Sequence, residues 1–101
     1  MSGAQLQCVD KTLHLSGVID HTSVVELLQQ GQQFITSTQQ SALNLDWSEV
    51  SYANSAALAL LLQWTRQAQA VNKSLVSLSA PKFLVQLARL SQLEFLFASH
   101  I

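Results

Sequence analysis

The chain of 101 residues is long enough for one domain with one hydrophobic core and too short for two. Nearly half of its residues are hydrophobic and 11% are charged, with a net charge of −1 at pH 7. The five lysines and arginines form no basic stripe, which argues against nucleic-acid binding. A surface this poor in charge favours a subunit whose faces are covered by a partner.

Cysteine usage and the lack of long apolar runs indicate the compartment. Cys8 is the single cysteine, so we expect no intramolecular disulfide and no cysteine-based metal site. The first ten residues lack a basic start followed by an apolar run, so they do not resemble a signal peptide. The longest apolar run, Ala56–Leu62, is far shorter than the roughly 20 residues of a membrane span. We therefore expect a cytoplasmic protein that does not insert into a membrane.

Two strands and a helix are predicted for the first third of the chain. Gln5–Val9 and Thr12–Val18 have the pattern of short strands joined by a two-residue turn. A helix is predicted over Ser23–Thr36, begun by a capping box in which Glu26 lies three residues after Ser23. Its apolar stripe comprises Val24, Leu27, Leu28, Gly31, Phe34 and Ile35.

Strands and helices alternate in the remainder of the chain. A strand at Ala42–Asp46 is followed by a loop over Ser51–Ala56 and a helix from Ser55 to about Val71. A strand at Ser74–Ser79 and a helix at Phe83–Leu90, with Pro81 in its first turn, come next. The last segment, Leu93–Phe97, is predicted as either a strand or an apolar turn. Strands separated by helices require crossover connections. We therefore predict an α/β (α+β) sandwich, with a four- to five-stranded mixed sheet and helices mainly on one face, as a single domain over residues 1–101.

The second predicted helix has apolar residues on more than one side. Its core stripe comprises Leu58, Leu61, Leu62, Thr65 and Ala68, with Ala57 at the edge. Leu60 and Trp64 lie outside this stripe. They form either an exposed patch that binds a partner, or a lone surface leucine beside a tryptophan that folds over the sheet edge.

The junction between the third strand and the second helix carries an uncovered serine. Asn54 is a good N-cap, because its side-chain oxygen can accept a hydrogen bond from a free backbone N–H of the first turn. Ser55 then takes the first helical position, near the positive end of the helix dipole. Such a hydroxyl fits either a phosphate-bearing switch or a contact point for a partner.

Catalytic and metal chemistry find little support in the sequence. His14, His21 and His100 each lack a second histidine at ligand spacing. A Ser-His-Asp hydrolase built from Ser55, His21 and either Asp20 or Asp46 would lack the nucleophile-elbow glycines and an oxyanion loop. Asp46, at the end of a predicted strand, is expected to accept hydrogen bonds from loop N–H groups. We therefore expect no enzymatic activity, no cofactor and no metal.

Two segments and the order of the elements resemble the STAS family of anti-sigma-factor antagonists and sulfate transporters. The first is Leu45–Val50 followed by Asn54–Leu58, and the second is Gly17–Asp20, which is similar to the family's Gly-x-Leu-Asp segment. The resemblance covers essentially the whole chain. Within the family, the chain is most similar to the stand-alone STAS subunit of the Mla phospholipid ABC transporter, which maintains outer-membrane lipid asymmetry in Gram-negative bacteria.

The family's loop reads Asp-Ser/Thr-Ser/Gly-Gly, and its hydroxyl residue is phosphorylated or contacts the partner. The resemblance places this residue at Ser55. Asn54 replaces the family's aspartate and removes its negative charge, and Ala57 replaces the family's glycine. Both departures weaken the case for a phosphorylation switch and leave a docking role intact.

The resemblance implies a non-enzymatic accessory subunit that binds and stabilises or activates the transporter's ATPase. Through this ATPase it would contact the permease indirectly and lie peripheral to the inner membrane. The alternative is an anti-sigma-factor antagonist regulated by phosphorylation of Ser55 by a partner kinase. A third alternative, a small-molecule or lipid-binding domain, requires a cavity in the core. Self-association through exposed apolar residues also stays open.

The resemblance and the pattern of the residues together predict which residues bind the partner. Ser55 is also the candidate phosphorylation site. The expected partner-binding residues are Asp20, His21, Ser51, Tyr52, Asn54, Ser55, Ala56, Leu60 and Trp64.

Overall fold

The structure, a computed structural model, describes residues 3–97, so that His100 lies outside the described residues. In this part of the chain the elements are β1 (Gln5–Val9), β2 (Thr12–Ile19), α1 (Val24–Ser37), β3 (Ala42–Ala53), α2 (Ser55–Ala70), β4 (Ser74–Leu78), α3 (Lys82–Leu90) and a 3₁₀ helix (Glu94–Phe97). The predicted order of elements is confirmed, and the final segment is the apolar turn rather than a further strand. No helix within residues 3–97 has both the length and the apolar character needed to cross a membrane.

The strands form one mixed sheet in the order β1-β2-β3-β4. β1 is antiparallel to β2, whereas β2, β3 and β4 are mutually parallel and are connected through α1 and α2. Parallel strands have their carboxyl ends at the same edge of a sheet. We call this the carboxyl edge; it is formed by the strand ends at Ile19, Ala53 and Leu78, and each of the three α-helices begins beside it. The predicted mixed sheet is confirmed, with four strands within residues 3–97.

Strand β3 is longer than predicted, because it continues past Asp46 to Ala53. Its pairing with β2 extends to Ala53 through two register shifts, which absorb a stretch that resembles a turn in the sequence. β4, in contrast, pairs with β3 only from Ala42 to Asp46. Ser51 and Tyr52 therefore lie on a strand, and the predicted loop over these residues is wrong.

Helix α2 lies at the centre of the helical layer and is buried on two sides. Leu60 is 1% and Trp64 is 0% exposed, so the predicted exposed patch is wrong, and so is the alternative with a lone surface leucine. The reason is that α1 packs against the flank of α2 that the sheet leaves open. Trp64 Nε1 donates to the carbonyl oxygen of Leu28 in α1 at 3.2 Å. A Cβ atom placed on Gly31 would lie 2.2 Å from the Trp64 ring, so the two helices approach closely at this glycine.

The predicted stripe of α1 is confirmed, and its most buried members are Leu27, Gly31 and Ile35. From the sheet, Leu13 and Leu45 point into the same core with no exposed surface. On the opposite face of the sheet, polar side chains from neighbouring strands pair directly. The register thus separates an apolar face, covered by helices, from a more polar one.

Candidate functional site at the carboxyl edge

The loop between β2 and α1 holds an ionised carboxylate in a fixed position. Asp20 Oδ1 accepts hydrogen bonds from the Thr22 hydroxyl at 2.7 Å and the Thr22 backbone N–H at 3.0 Å. These bonds, the hydroxyl's foremost, hold the pKa of Asp20 below its ordinary value. His21 lies between these two residues and is exposed. The carboxyl edge therefore presents a negatively charged side chain that is already held in place, so that binding a partner costs little side-chain entropy there.

Ser23 anchors this loop and does not form the predicted capping box. It occupies the N-cap position of α1, but its side chain makes no capping bond. Its hydroxyl instead accepts from the Asp20 N–H at 3.1 Å and lies 3.2 Å from the carbonyl oxygen of Val18, to which it donates. The predicted capping box with Glu26 does not form, because the buried Ser23 hydroxyl is bonded instead to backbone groups of the turn that follows β2.

The junction between β3 and α2 confirms the predicted cap. Asn54 Oδ1 accepts from the Ala56 N–H at 2.9 Å, and Ser55 is the first residue of α2 and is exposed. The Asn54 N–H donates to the carbonyl oxygen of Ile19 at 3.2 Å, which ties the junction to the end of β2. The Asp20 loop and Ser55 are thus held at the same edge of the sheet. Ala56 is buried, which corrects its prediction as a contact residue.

A groove of about 460 Å³ borders this junction on the side of α3. Tyr52 is 54% and Phe83 is 56% exposed, so the groove carries two large aromatic side chains in contact with solvent. The lining residues are Val50, Ser51, Tyr52, Ala53, Pro81 and Phe83. Exposed aromatic side chains around a depression are typical of protein-binding surfaces.

Two exposed features beside the groove and Ser55 are absent from the sequence-based prediction. Phe83 precedes the buried Leu84 of α3 and lies off its apolar stripe, which is the signal that could have found it. On α2, the exposed side that begins at Ser55 continues one turn later at Ala59 and two turns later at Gln63. Counting in steps of four from Ser55 identifies this side without the structure. We define the edge surface as Asp20, His21, Ser51, Tyr52, Ser55 and Phe83.

Among residues 3–97, the titratable groups do not assemble into a Ser-His-Asp arrangement. Asp46 Oδ2 pairs with His14 Nδ1 at 3.1 Å on the polar face of the sheet, away from His21. Asp46 Oδ1 accepts from the Ser48 N–H at 3.0 Å, as the sequence predicts for a structural acceptor. These contacts, that of Ser48 foremost, lower the pKa of Asp46. Within residues 3–97, no hydrogen bond connects Ser55 to a histidine, and no three His, Cys, Asp or Glu side chains cluster as metal ligands.

Comparisons with known proteins agree with this fold. The family model described as "Mlab, STAS domain" matches residues 2–97. No curated protein shows a significant sequence match. Among solved structures, the chain is similar to the anti-sigma factor antagonist SpoIIAA in its unphosphorylated form, with a TM-score of 0.73 and 20% identity over 93% of this chain and 84% of that chain.

Two further solved structures share the fold. The Bacillus cell fate determinant SpoIIAA in its phosphorylated form gives a TM-score of 0.70 at 20% identity, over 93% of this chain and 87% of that chain. An anti-sigma factor antagonist from Mycobacterium paratuberculosis gives 0.68 at 20% identity, over 93% and 80% of the two chains. Because the family model spans nearly the whole sequence and the fold agrees with it, the chain belongs to the STAS family.

Proposed function

We propose that the protein is a non-enzymatic, MlaB-type accessory subunit that binds and stabilises or activates an MlaF-like ATPase of a phospholipid-transporting ABC complex. In this role it helps to maintain outer-membrane lipid asymmetry. It acts in the cytoplasm, peripheral to the inner membrane through the ATPase, and contacts the permease indirectly. The description of the matching family model supports the MlaB type, and the protein-binding mode of STAS domains supports a role without catalysis.

The edge surface is the observation that carries this proposal. It combines an exposed hydroxyl at the start of α2, a fixed carboxylate in the neighbouring loop and two exposed aromatic side chains. Aromatic side chains supply most of the binding energy at typical interfaces, and polar groups around them set orientation. Ser55 then lies inside the interface, where its hydroxyl forms a hydrogen bond with the ATPase.

A second candidate function is an anti-sigma-factor antagonist whose Ser55 is phosphorylated by a partner kinase. The observation that favours it is the exposure of Ser55 at the first position of a helix, where a phosphate is electrostatically tolerated. The chain's fold is also that of the SpoIIAA structures. The two functions differ in what phosphorylation does, because a phosphate would prevent docking in the first and regulate it in the second.

The testing experiment is purification of the tagged protein from native extract in mild detergent, followed by mass spectrometry of what co-purifies. We expect an ABC ATPase and its permease with wild type. Ser55→Ala should weaken binding by about 1 kcal/mol, the typical value of one hydrogen bond. Ser55→Glu should abolish it, because the interface would bury an unpaired charge.

Ser41→Glu is the matched control, since it adds the same charge at an exposed serine just before β3, at the opposite edge of the sheet. This variant should retain the ATPase. A kinase in place of the transporter subunits would establish the second function. Full retention of the ATPase by Ser55→Glu would show that Ser55 lies outside the interface.

A further inference from the structure

Strand β3 extends beyond its neighbour β4 and leaves part of one edge without a strand. β4 ends at Leu78, opposite Asp46, whereas β2 accompanies β3 as far as Ala53. Within residues 3–97, the segment Trp47–Ala53 therefore has a strand neighbour on the β2 side and none on the other. An unpaired strand edge offers a row of backbone donors and acceptors to any extended chain that can reach it.

After Leu78 the backbone turns away from the direction of β4, so it does not continue to pair with β3. Ser79 has a φ of 59°, in the left-handed region, which turns the backbone out of the strand. Pro81 follows two residues later; it has no N–H for strand pairing and is the N-cap residue of α3. The place of a longer β4 is therefore occupied by the groove, which Pro81 and Phe83 line from the far side.

The backbone of β3 directs hydrogen-bonding groups toward this groove. The Asn54 N–H donates to Ile19 of β2. Because successive residues of a strand direct their backbone groups to opposite sides, the N–H and C=O of Ala53 point away from β2. The structure records no backbone hydrogen bond, among residues 3–97, that would satisfy these Ala53 groups.

Charges beside the groove indicate the composition of an occupant. Glu49 immediately precedes the lining residues of β3, and Lys82 lies between Pro81 and Phe83; both are exposed. A basic side chain near Glu49 and an acidic one near Lys82 would complement these charges. Between its basic and its acidic residue, the occupant would carry an apolar side chain that packs against the aromatic rings of Tyr52 and Phe83.

We propose that an extended segment of the partner protein adds to the free edge of β3 as a strand, in the place that β4 leaves open. It carries an apolar residue that enters the groove and a lysine or arginine that pairs with Glu49. Main-chain hydrogen bonds provide the affinity of such strand addition, and the side-chain pocket provides its specificity. This inference rests on the proposed function, because it identifies how the ATPase is recognised.

Amide hydrogen exchange with mass spectrometry tests the proposal directly, on the protein alone and in the purified complex with its ATPase. Exchange in peptides that contain Ser51–Ala53 should slow at least tenfold on assembly, because their amides gain partners or lose solvent contact. Peptides from β1, the edge strand at the other side of the described sheet, should not change. Unchanged exchange at Ser51–Ala53 in an assembled complex would overturn strand addition.

Two aromatic residues of equal exposure provide a matched pair of variants. Phe83 is 56% exposed in the groove and Phe95 is 55% exposed in the 3₁₀ helix. We expect Phe83→Ser to reduce affinity for the ATPase about tenfold or more and Phe95→Ser to change it less than twofold. Glu49→Lys should also weaken binding, because it reverses the charge beside the groove while both aromatic rings stay in place. Circular dichroism and the unfolding midpoint report whether each variant is folded.

The outcomes separate this inference from the proposed function. If no ATPase co-purifies with the wild-type protein, the proposed function is wrong, and strand addition to that partner is wrong with it. If the ATPase assembles but Phe83→Ser and Glu49→Lys bind as wild type does, the proposed function stands and strand addition is wrong.

Discussion

Single polar side chains complete the backbone hydrogen bonding of this small fold. Lys73, just before β4, extends its ammonium group to the end of α1, where it donates to the carbonyl oxygens of Ile35 and of Thr38, the latter at 2.7 Å. The last carbonyl groups of a helix have no intrahelical partner and carry the negative end of the dipole. One cation thus stabilises a helix end that no glycine cap closes.

Replacing Lys73 tests this contact. We expect Lys73→Met to lower the free energy of unfolding by about 1–2 kcal/mol, because two helix-terminal carbonyl groups lose a charged donor. Urea denaturation measures the change. Lys11→Met, at an exposed lysine in the β1–β2 turn, is the control and should lie within about 0.5 kcal/mol of wild type. Equal effects at the two positions would contradict a specific role for Lys73.

The paired carboxylate of Asp46 predicts a pH dependence. Hydrogen bonds from Ser48, and less so from His14, hold its pKa in the folded protein below the usual 3.8. A lowered pKa contributes stability above the unfolded-state pKa, and this contribution is lost as the pH falls through the folded-state value. Asp46→Asn should therefore be less stable than wild type at pH 5, and the difference should shrink as the pH falls below about 3.8.

Urea unfolding of both proteins at a series of pH values measures this difference. A difference that persists unchanged in acid would assign the role of Asp46 to its shape rather than to its charge.

At the scale of elements, the contact between α1 and α2 leaves no room for a side chain at position 31. The Trp64 ring occupies the space that a side chain at position 31 would need. Gly31 is therefore required for the approach of the two helices, although glycine in a helix interior costs about 1 kcal/mol relative to alanine. The close approach also brings the Trp64 N–H to the backbone of α1.

Gly31→Ala should destabilise the protein by about 2 kcal/mol, because the cost of overpacking exceeds the gain in helix propensity. Thermal or urea unfolding measures this loss. As a control, the replacement of an exposed residue of α1 by alanine, Gln33→Ala, should leave stability within about 0.5 kcal/mol of wild type. A more stable Gly31→Ala protein would mean that the helices separate easily.

The elements themselves could largely be predicted from the sequence, because their signals are local. Strand and helix periodicities place β1, β2 and α1 within a few residues of their observed ends. The cap at Asn54 could be predicted for the same reason. Prediction failed for β3, whose predicted end at Asp46 is too early, because its pairing with β2 continues through register shifts.

Burial of α2 and the groove could not be predicted, because both depend on distant parts of the chain. A helical wheel identifies the side of Leu60 and Trp64 as apolar but does not show that α1 covers it. The groove joins the end of β3 to Phe83, about 30 residues away, so the sequence around Ser55 contains half of the site. The sequence around Ser55 therefore indicates the exposed hydroxyl, whereas Phe83 is brought beside it only by the fold.

At the scale of the whole molecule, two buried tryptophans report on different layers. Trp47 lies on the sheet, where its Nε1 donates to the Ser77 hydroxyl at 3.1 Å, and Trp64 lies between helices. Both side chains belong to one continuous core. A shared core in a chain of this size favours a single cooperative unfolding transition.

Single-tryptophan variants test this cooperativity. In Trp47→Phe the fluorescence reports the helical layer, and in Trp64→Phe it reports the sheet. For each variant, we expect the fluorescence transition in urea to coincide with the circular dichroism transition of the same protein, with a red shift on unfolding. A fluorescence midpoint that differs from the circular dichroism midpoint would show that the layers unfold separately.

The close approach at Gly31 also makes positions 31 and 64 interdependent in evolution. A methyl group at position 31 overlaps the indole of Trp64, so Gly31→Ala alone destabilises the protein. A smaller residue at position 64 alone leaves a cavity in the core, which destabilises the protein as well. Together the two substitutions compensate in part, because the larger residue at position 31 fills space that the smaller residue at position 64 leaves. We therefore expect the two positions to change together among related sequences.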